Sequence, residues 1–236
     1  GEEWSSNPEY MVDGSVDRFA SSSTNSDVAL CTGNSLSSAP GGLISKVEIR
    51  AHGYTSGMLS TSVVLRPVFG GTSDGDTHCF YLPMGEGEWS CWYDITGDTN
   101  APSSWSWSDV SDLDCDVVKQ PADTAYVSQV EVRVTYNHLS GIGTPVPFDG
   151  CVNVSISPAL SINVSDADGD SMNITWYSNS SGSWVSFGTN NSVGNGTYHQ
   201  TMFNASVNGC WWYWKVNVSD GSGYTESEVY RFYTGV

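Results

Sequence analysis

Apolar and polar residues alternate with a period of two along most of this chain. In KVEIRA, Val47, Ile49 and Ala51 fall on one side and Lys46, Glu48 and Arg50 on the other. In VEVRVTY, Val130, Val132, Val134 and Tyr136 alternate with Glu131, Arg133 and Thr135. This is the period of a strand with one buried face. The same pattern predicts strands over 28–32, 59–69, 77–83, 89–95, 115–119 and 124–137. One helical piece is predicted in SWSDVSDLD, 106–114, where a serine or aspartate can cap the first turn. The segment NHLSGIGTPVPFDG, 137–150, is rich in Gly and Pro and has no pattern, so it reads as a boundary. Beyond it the alternation resumes: Leu160, Ile162 and Val164 share one face, Met172, Ile174 and Trp176 another, and Trp212, Trp214, Val216 and Val218 a third. The prediction is an all-β chain of two tandem sandwiches, 1–137 and 150–236, joined by a linker over 138–149. Strands at short intervals over about ninety residues suit an immunoglobulin-like or fibronectin-type sandwich for the second.

Composition narrows the class. Of 236 residues, 39% are hydrophobic, enough for a core, but only 14% are charged, against roughly 25% in an average soluble protein. Ser, Thr, Asn and Gly fill the difference and favour turns over long helices. The net charge is −18, from 26 acids and 8 bases. Nucleic acid and anionic membrane surfaces are therefore not expected as partners, since no basic patch can neutralise phosphates. No run of apolar residues is long enough for a transmembrane helix. The opening GEEW reads as a mature or trimmed start.

Six cysteines, Cys31, Cys79, Cys91, Cys115, Cys151 and Cys210, include no CxxC pair, so zinc is not indicated. An even count in so polar a chain points to disulfides and an oxidising, extracellular location. Cys79 and Cys91 flank FYLPMGEGEWS, whose glycines Gly85 and Gly87 predict a hairpin that sets the two cysteines opposite each other. By elimination Cys31 pairs with Cys115 and Cys151 with Cys210, although sequence does not fix the connectivity.

The sharpest signal is the distribution of Asn-x-Ser/Thr triplets. Asn153, Asn163, Asn173, Asn179, Asn190, Asn195, Asn204 and Asn217 each begin one, and all eight follow the boundary. The first region has five asparagines and no triplet. Ser and Thr make up about a quarter of the second region, so chance gives roughly two or three. A glycan cannot enter a core, so its asparagine must sit on the polar phase of its strand. Asn153, Asn163, Asn173 and Asn217 do, each between two apolar residues.

The stretches LSINVSDADGDSMNITWY and WWYWKVNVSDGSGYTESEVYRFYT resemble the immunoglobulin/fibronectin-type repeats of archaeal secreted and surface proteins, in which a DxDGD turn joins two early strands and an aromatic strand leads into a VSDG turn. The first region, from WSSNPEYMVDG to VSQVEVRVTY, is more loosely similar to jelly-roll sandwiches of secreted and phage-like structural proteins, its SWSWSDVSDLD segment resembling the short helical turn before their last strands. The resemblance implies a jelly-roll-like sandwich followed by an immunoglobulin/fibronectin III-like one. Asp166, Asp168 and Asp170 then belong first to a strand-to-strand turn, where Asp and Gly supply Asx-turns and positive φ. The spacing is not that of an EF-hand, although hard oxygen ligands could gather calcium; no other cofactor is expected.

Catalytic patterns are missing. His52, His78, His138 and His199 form no HExxH, and there is no GxSxG. Glu86 and Glu88 lie in a turn, where two acids are usually just solvated. Enzymatic activity is not expected. Trp89, Trp92, Trp105, Trp107, Trp211 and Tyr213 could stack on sugar rings. Against that reading, Trp105 and Trp107 serve equally as core plugs, and Trp211 can pack on a neighbour. The expectation is a secreted structural subunit of an extracellular filament or cell-surface layer. It would assemble with copies of itself through the first domain and carry N-linked glycans on the second; the alternative is a secreted carbohydrate-binding adhesin. Strand donation from Glu2–Tyr10 or Val229–Thr234 is one way the copies could join.

Overall fold

The computed structural model describes Trp4, Met11, 18–24, 26–32 and 42–235. The protein is all-β. Among the described residues no helix is long and apolar enough to cross a membrane. The chain divides into two compact units, Gly1–Tyr136 and Asn137–Val236.

In the first unit, β1 (Ala20–Ser22), β3 (Leu43–Thr55), β7 (Glu88–Trp89), β8 (Tyr93–Asp94) and β10 (Ala125–Asn137) form one sheet. The second sheet holds β2 (Val28–Cys31), β4 (Ser62–Phe69), β5 (Ser73–Asp74), β6 (His78–Tyr81) and β9 (Asp114–Lys119). The core lies where their inward positions meet. Val47, Ile49 and Ala51 from β3 are fully buried with Val63 and Leu65 of β4 and Val117 of β9. Each of the valines, the leucine and the isoleucine contributes roughly 1.5–3 kcal/mol. Ala125 and Val127 face this core, and so do Val130, Val132 and Val134. The inward parity of β10 thus slips by one residue in between, where Ser128 bonds the ring Nδ1 of His52 at 2.7 Å.

The helical piece is α1 (Trp107–Ser111). Ser106 caps it and forms a capping box with Asp109. Trp105 is buried with its indole N–H on the Thr96 carbonyl at 3.0 Å, and Trp107 packs edge-on to Tyr136.

The predicted hairpin over 79–91 does not form. Strand β6 pairs with β4 in one sheet and β7 with β3 in the other. Met84 bridges Thr55 between them, so the glycine turn carries the chain from one sheet to its partner. Cys79 and Cys91 are both free thiols here; the Tyr93 hydroxyl donates to the Cys79 carbonyl at 2.7 Å, and burial, then Cys91, raises the Tyr93 pKa.

The second unit pairs a three-stranded sheet with a six-stranded one. The smaller sheet is β11 (Gly141–Val146), β13 (Ala159–Ser165) and β16 (Gly196–Thr201). The larger runs β12 (Cys151–Val154), β19 (Tyr230–Thr234), β17 (Trp211–Ser219), β14 (Met172–Ser178), β15 (Val185–Val193), with β18 (Tyr224–Glu226) beside β17. Leu160, Ile162, Met172, Ile174, Trp176, Trp214, Val216, Val218 and Phe232 are fully buried between them. Rings of Trp176 and Trp214 stack at 5.6 Å.

Two expectations need correction here. The segment read as a linker contains β11, and Pro145 is accommodated because β11 is an edge strand. The stretch Val229–Thr234, offered as a donor strand, is almost wholly β19, an interior strand between β12 and β17. The other offered donor, Glu2–Tyr10, lies outside the described residues apart from Trp4.

Candidate functional site

Three of the acceptor asparagines follow from strand parity. Asn163 is exposed between buried Ile162 and Val164, and Asn173 between buried Met172 and Ile174. Asn217 is partly exposed between buried Val216 and Val218. Because Asn163 is on the smaller sheet and Asn173 and Asn217 on the larger, the acceptors occupy both outer faces of the sandwich. Asn153, Asn195 and Asn204 are exposed, and Asn179 and Asn190 partly so. Asn190 departs from the parity rule. It is paired with buried Ile174 and its Oδ1 accepts from the indole of Trp176 at 2.9 Å.

The DADGD turn is the second cluster. Asp166 is buried, at 3% exposure. Its Oδ1 accepts from the backbone N–H of Asp168 and of Asp170, both at 3.0 Å. Gly169 takes φ +80°, which the turn requires. Asp168 accepts from the His138 backbone N–H at 2.7 Å and lies 3.1 Å from its ring Nδ1. The backbone and ring bonds from His138 hold the Asp168 carboxyl below its usual range. Asp220, in the VSDG turn, repeats the pattern, with Oδ1 accepting from Ser222 and Gly223 N–H at 2.8 and 2.9 Å. The hydroxyl of buried Ser140 lies 3.4 Å from both Asp166 and Asp220.

Carboxylate oxygens of Asp166, Asp168 and Asp170 come within 4.8 Å of one another. Such hard oxygens suit calcium, and these three residues are the ones that could hold it. Asp166, however, spends an oxygen on N–H donors of the turn itself and Asp168 spends its oxygens on His138, so what the arrangement visibly does is fix two loops. Sequence reasoning missed Asn195 as part of this cluster. Its Oδ1 accepts from the Asp166 N–H at 2.6 Å and its Nδ2 donates to the Asp166 carbonyl at 3.1 Å.

The aromatic candidates are distributed differently. On the outer face of the β3–β10 sheet, the Arg50 guanidinium lies 3.9 Å from the Trp89 ring and 4.4 Å from Trp92, and Arg133 lies 4.3 Å from Trp92. Both arginines are anchored to carboxylates, Arg50 to Glu131 at 2.7 Å and Arg133 to Glu48 at 2.8 Å. Trp211 is exposed, with Arg231 over its ring at 4.9 Å and Tyr233 at its edge. Tyr213 is partly exposed, and Glu86 and Glu88 are exposed.

Of the cysteine pairs, Cys31 and Cys115 are directly opposed across β2 and β9. Cys151 and Cys210 are not brought together. Strand β19 separates their strands, because Cys151 pairs with Phe232 while Cys210 precedes β17 on the far side. Two strand spacings amount to about 10 Å, beyond the roughly 7 Å that a disulfide spans between Cα atoms.

No protein-family model and no curated protein matches the chain. Solved structures similar to it include a β-1,2-glucanase from Parabacteroides distasonis, with TM-score 0.25 and 10% identity over 92% of this chain and 31% of that one. A β-glucuronidase of Faecalibacterium prausnitzii gives 0.27 and 7% over 89% and 38%. The glycoside hydrolase domain of Endo-D from Streptococcus pneumoniae R6 gives 0.22 and 11% over 90% and 32%. The chain thus spans about a third of each, and likeness at these scores carries no argument about activity.

Proposed function

We propose that this chain is a secreted structural subunit of an extracellular filament or cell-surface layer. Its second unit carries N-linked sugar, and its first is left free to contact copies of itself. The observation that supports this most is that all eight acceptor asparagines fall in the second unit and none of them is buried. A glycan on each outer face blocks close packing there. The first unit has no acceptor, and it exposes Met58 at 91%, Tyr81 at 73% and Met84 at 64%. These lie along one edge, since Met84 bridges Thr55, Tyr81 pairs with Ser62, and Met58 is in the loop joining those strands. Exposed apolar side chains grouped in this way suit protein contacts.

The alternative, a carbohydrate-binding module, is weakened at Trp89 and Trp92, where ring faces that sugar would stack on are already covered by arginine. Electron microscopy of the natively produced protein tests the reading. Regular filaments or sheets are expected. Separate particles at all concentrations, with sugar ligands bound on a glycan array, would overturn it in favour of the adhesin.

A further inference from the structure

We infer that N-linked sugar is confined to six of the eight acceptors, Asn153, Asn163, Asn173, Asn179, Asn190 and Asn217, and that Asn195 and Asn204 stay bare because the fold uses their amide nitrogens. This rests on the reading of the second unit as glycosylated.

The chemistry of the modification separates the sites. Transfer from a lipid-linked phosphate donor forms a bond between Nδ2 and C1 of the sugar. The C1–O bond to the carrier breaks, its electron pair leaves with the phosphate, and one Nδ2 hydrogen leaves as a proton. An asparagine has two Nδ2 hydrogens and keeps one. The product is a secondary amide in the trans form, so the sugar takes the position on the Oδ1 side and the remaining hydrogen points away from Oδ1.

Asn195 contacts the N–H and the carbonyl of a single residue, Asp166, at 2.6 and 3.1 Å. A two-point contact of that kind uses Oδ1 and the Nδ2 hydrogen beside it, which is the hydrogen the sugar replaces. Modification therefore removes the clamp and leaves the carbonyl of a buried residue without this partner. At Asn204 both hydrogens are committed, to the hydroxyl of buried Ser178 at 2.6 Å and to Ser180 at 2.7 Å. One of the two bonds must go.

Of the other six, five commit no amide hydrogen among the described residues, and Asn163 commits one only in a long, exposed bond. Asn173 and Asn190 act through Oδ1, accepting from the Ser192 N–H at 3.0 Å and from Trp176 at 2.9 Å, and glycosylation leaves that oxygen in place; Asn190 departs from parity but is partly exposed on β15, an edge strand. Asn163 makes one long bond, 3.3 Å, from Nδ2 to Thr197. Among the described residues the side chains of Asn153, Asn179 and Asn217 make no hydrogen bond. The order of events does not change the outcome. A transferase meeting the folded unit finds the Asn195 nitrogen engaged. One that acts earlier produces a chain whose DADGD turn cannot close, and such chains do not accumulate as folded product.

Site-resolved mass spectrometry of glycopeptides from the natively secreted protein tests this, with fragmentation that retains sugar on its asparagine. Sugar on the six with bare peptides at Asn195 and Asn204 is expected. Stoichiometric sugar on Asn195 or Asn204 overturns the inference and leaves the glycoprotein reading standing; bare peptides throughout overturn both. Two variants make the structural half independent of occupancy. Asn195→Gln, whose extra methylene breaks the two-point contact, is expected to lower the melting temperature by several degrees with no change in glycan mass. Asn217→Gln is expected to lose one glycan and keep its melting temperature. An unshifted Asn195→Gln would remove the role assigned to the clamp.

Discussion

Cys31 and Cys115 face each other across adjacent antiparallel strands. Burial pushes the Cys31 thiol up to about 12, with Asp116 and Asp114 adding to it, and raises Cys115 as well. Thiolate is the nucleophile, so a raised thiol pKa means little reaction near pH 8 and more only as pH climbs towards the folded value. We expect iodoacetamide at pH 8 to label the exposed Cys79 and Cys91 of reduced protein promptly and to reach Cys31 and Cys115 only in urea. A disulfide oxidant is expected to join Cys31 to Cys115, stabilising the first unit by about 2–4 kcal/mol. Non-reducing peptide maps should show no Cys151–Cys210 link in folded protein; finding one would mean that β19 does not separate them.

The two stacked tryptophans of the second unit differ in one respect that can be measured. Trp176 donates its indole N–H to Asn190 at 2.9 Å, whereas the buried Trp214 indole N–H has no partner among the described residues. Replacing either with Phe removes similar volume. Trp176→Phe also loses a hydrogen bond, while Trp214→Phe removes an unsatisfied donor. We expect Trp176→Phe to be the more destabilising by about 1–3 kcal/mol in urea unfolding. Equal losses would show that the Asn190 bond contributes nothing net.

Much of this architecture is written in the period-two pattern. Val47, Ile49 and Ala51 are buried as a set, and so are Leu160, Ile162 and Val164. Parity alone also places Asn163, Asn173 and Asn217 outside. What the pattern does not carry is partner choice. The glycines at 85 and 87 do mark a turn, but nothing local says that β7 joins β3 rather than β6. The Gly- and Pro-rich stretch hides β11 because an edge strand tolerates Pro and needs little alternation. Cys151 and Cys210 look like leftovers that must pair until β19 is seen between them. Asn195 reads as one more acceptor, since its partner Asp166 is 29 residues away and a triplet looks the same whether its amide is free or used.

Glu48 shows how a residue on the polar phase can still be shielded. Its side chain is 5% exposed and bonds Lys46 at 2.6 Å and Arg133 at 2.8 Å. The hydrogen bond from Lys46, followed by that from Arg133, outweighs burial and holds the carboxyl below its usual range. A depressed folded pKa contributes stability that is fully present above the unfolded value, about 4.3, and is lost as pH falls through the folded one. We expect the first unit to lose stability on acidification below about pH 4.3. Glu48→Gln is expected to cost about 1–2 kcal/mol at pH 7, discounted for the partly exposed bases, and to flatten that acid limb. An unchanged limb would place the acid sensitivity elsewhere.

Arg50 lies against both Trp89 and Trp92 and is anchored by Glu131. Lysine keeps the charge but not the planar fork or the stacking. Arg50→Lys is expected to lose about 1–2 kcal/mol and to change the near-ultraviolet circular dichroism of the tryptophans. If the spectrum is unmoved, the rings are not held by the guanidinium, and their faces return as sugar-stacking surfaces.

The interior position of β19 decides what trimming the C-terminus does. A donor strand at a chain end can be removed without unfolding its own domain, because its pairing partner is another subunit. Strand β19 instead pairs with β12 on one side and β17 on the other, and Phe232 at its centre is fully buried. Ending the chain at Val229 therefore removes the middle of the larger sheet and opens a cavity beside Trp214, whose ring packs on Tyr230 at 5.0 Å. We expect such a chain to lose the near-ultraviolet signal of the stacked tryptophans and to unfold at lower urea, with the first unit's transition retained. A truncated chain that kept a folded second unit and merely failed to assemble would restore Val229–Thr234 as a donated strand.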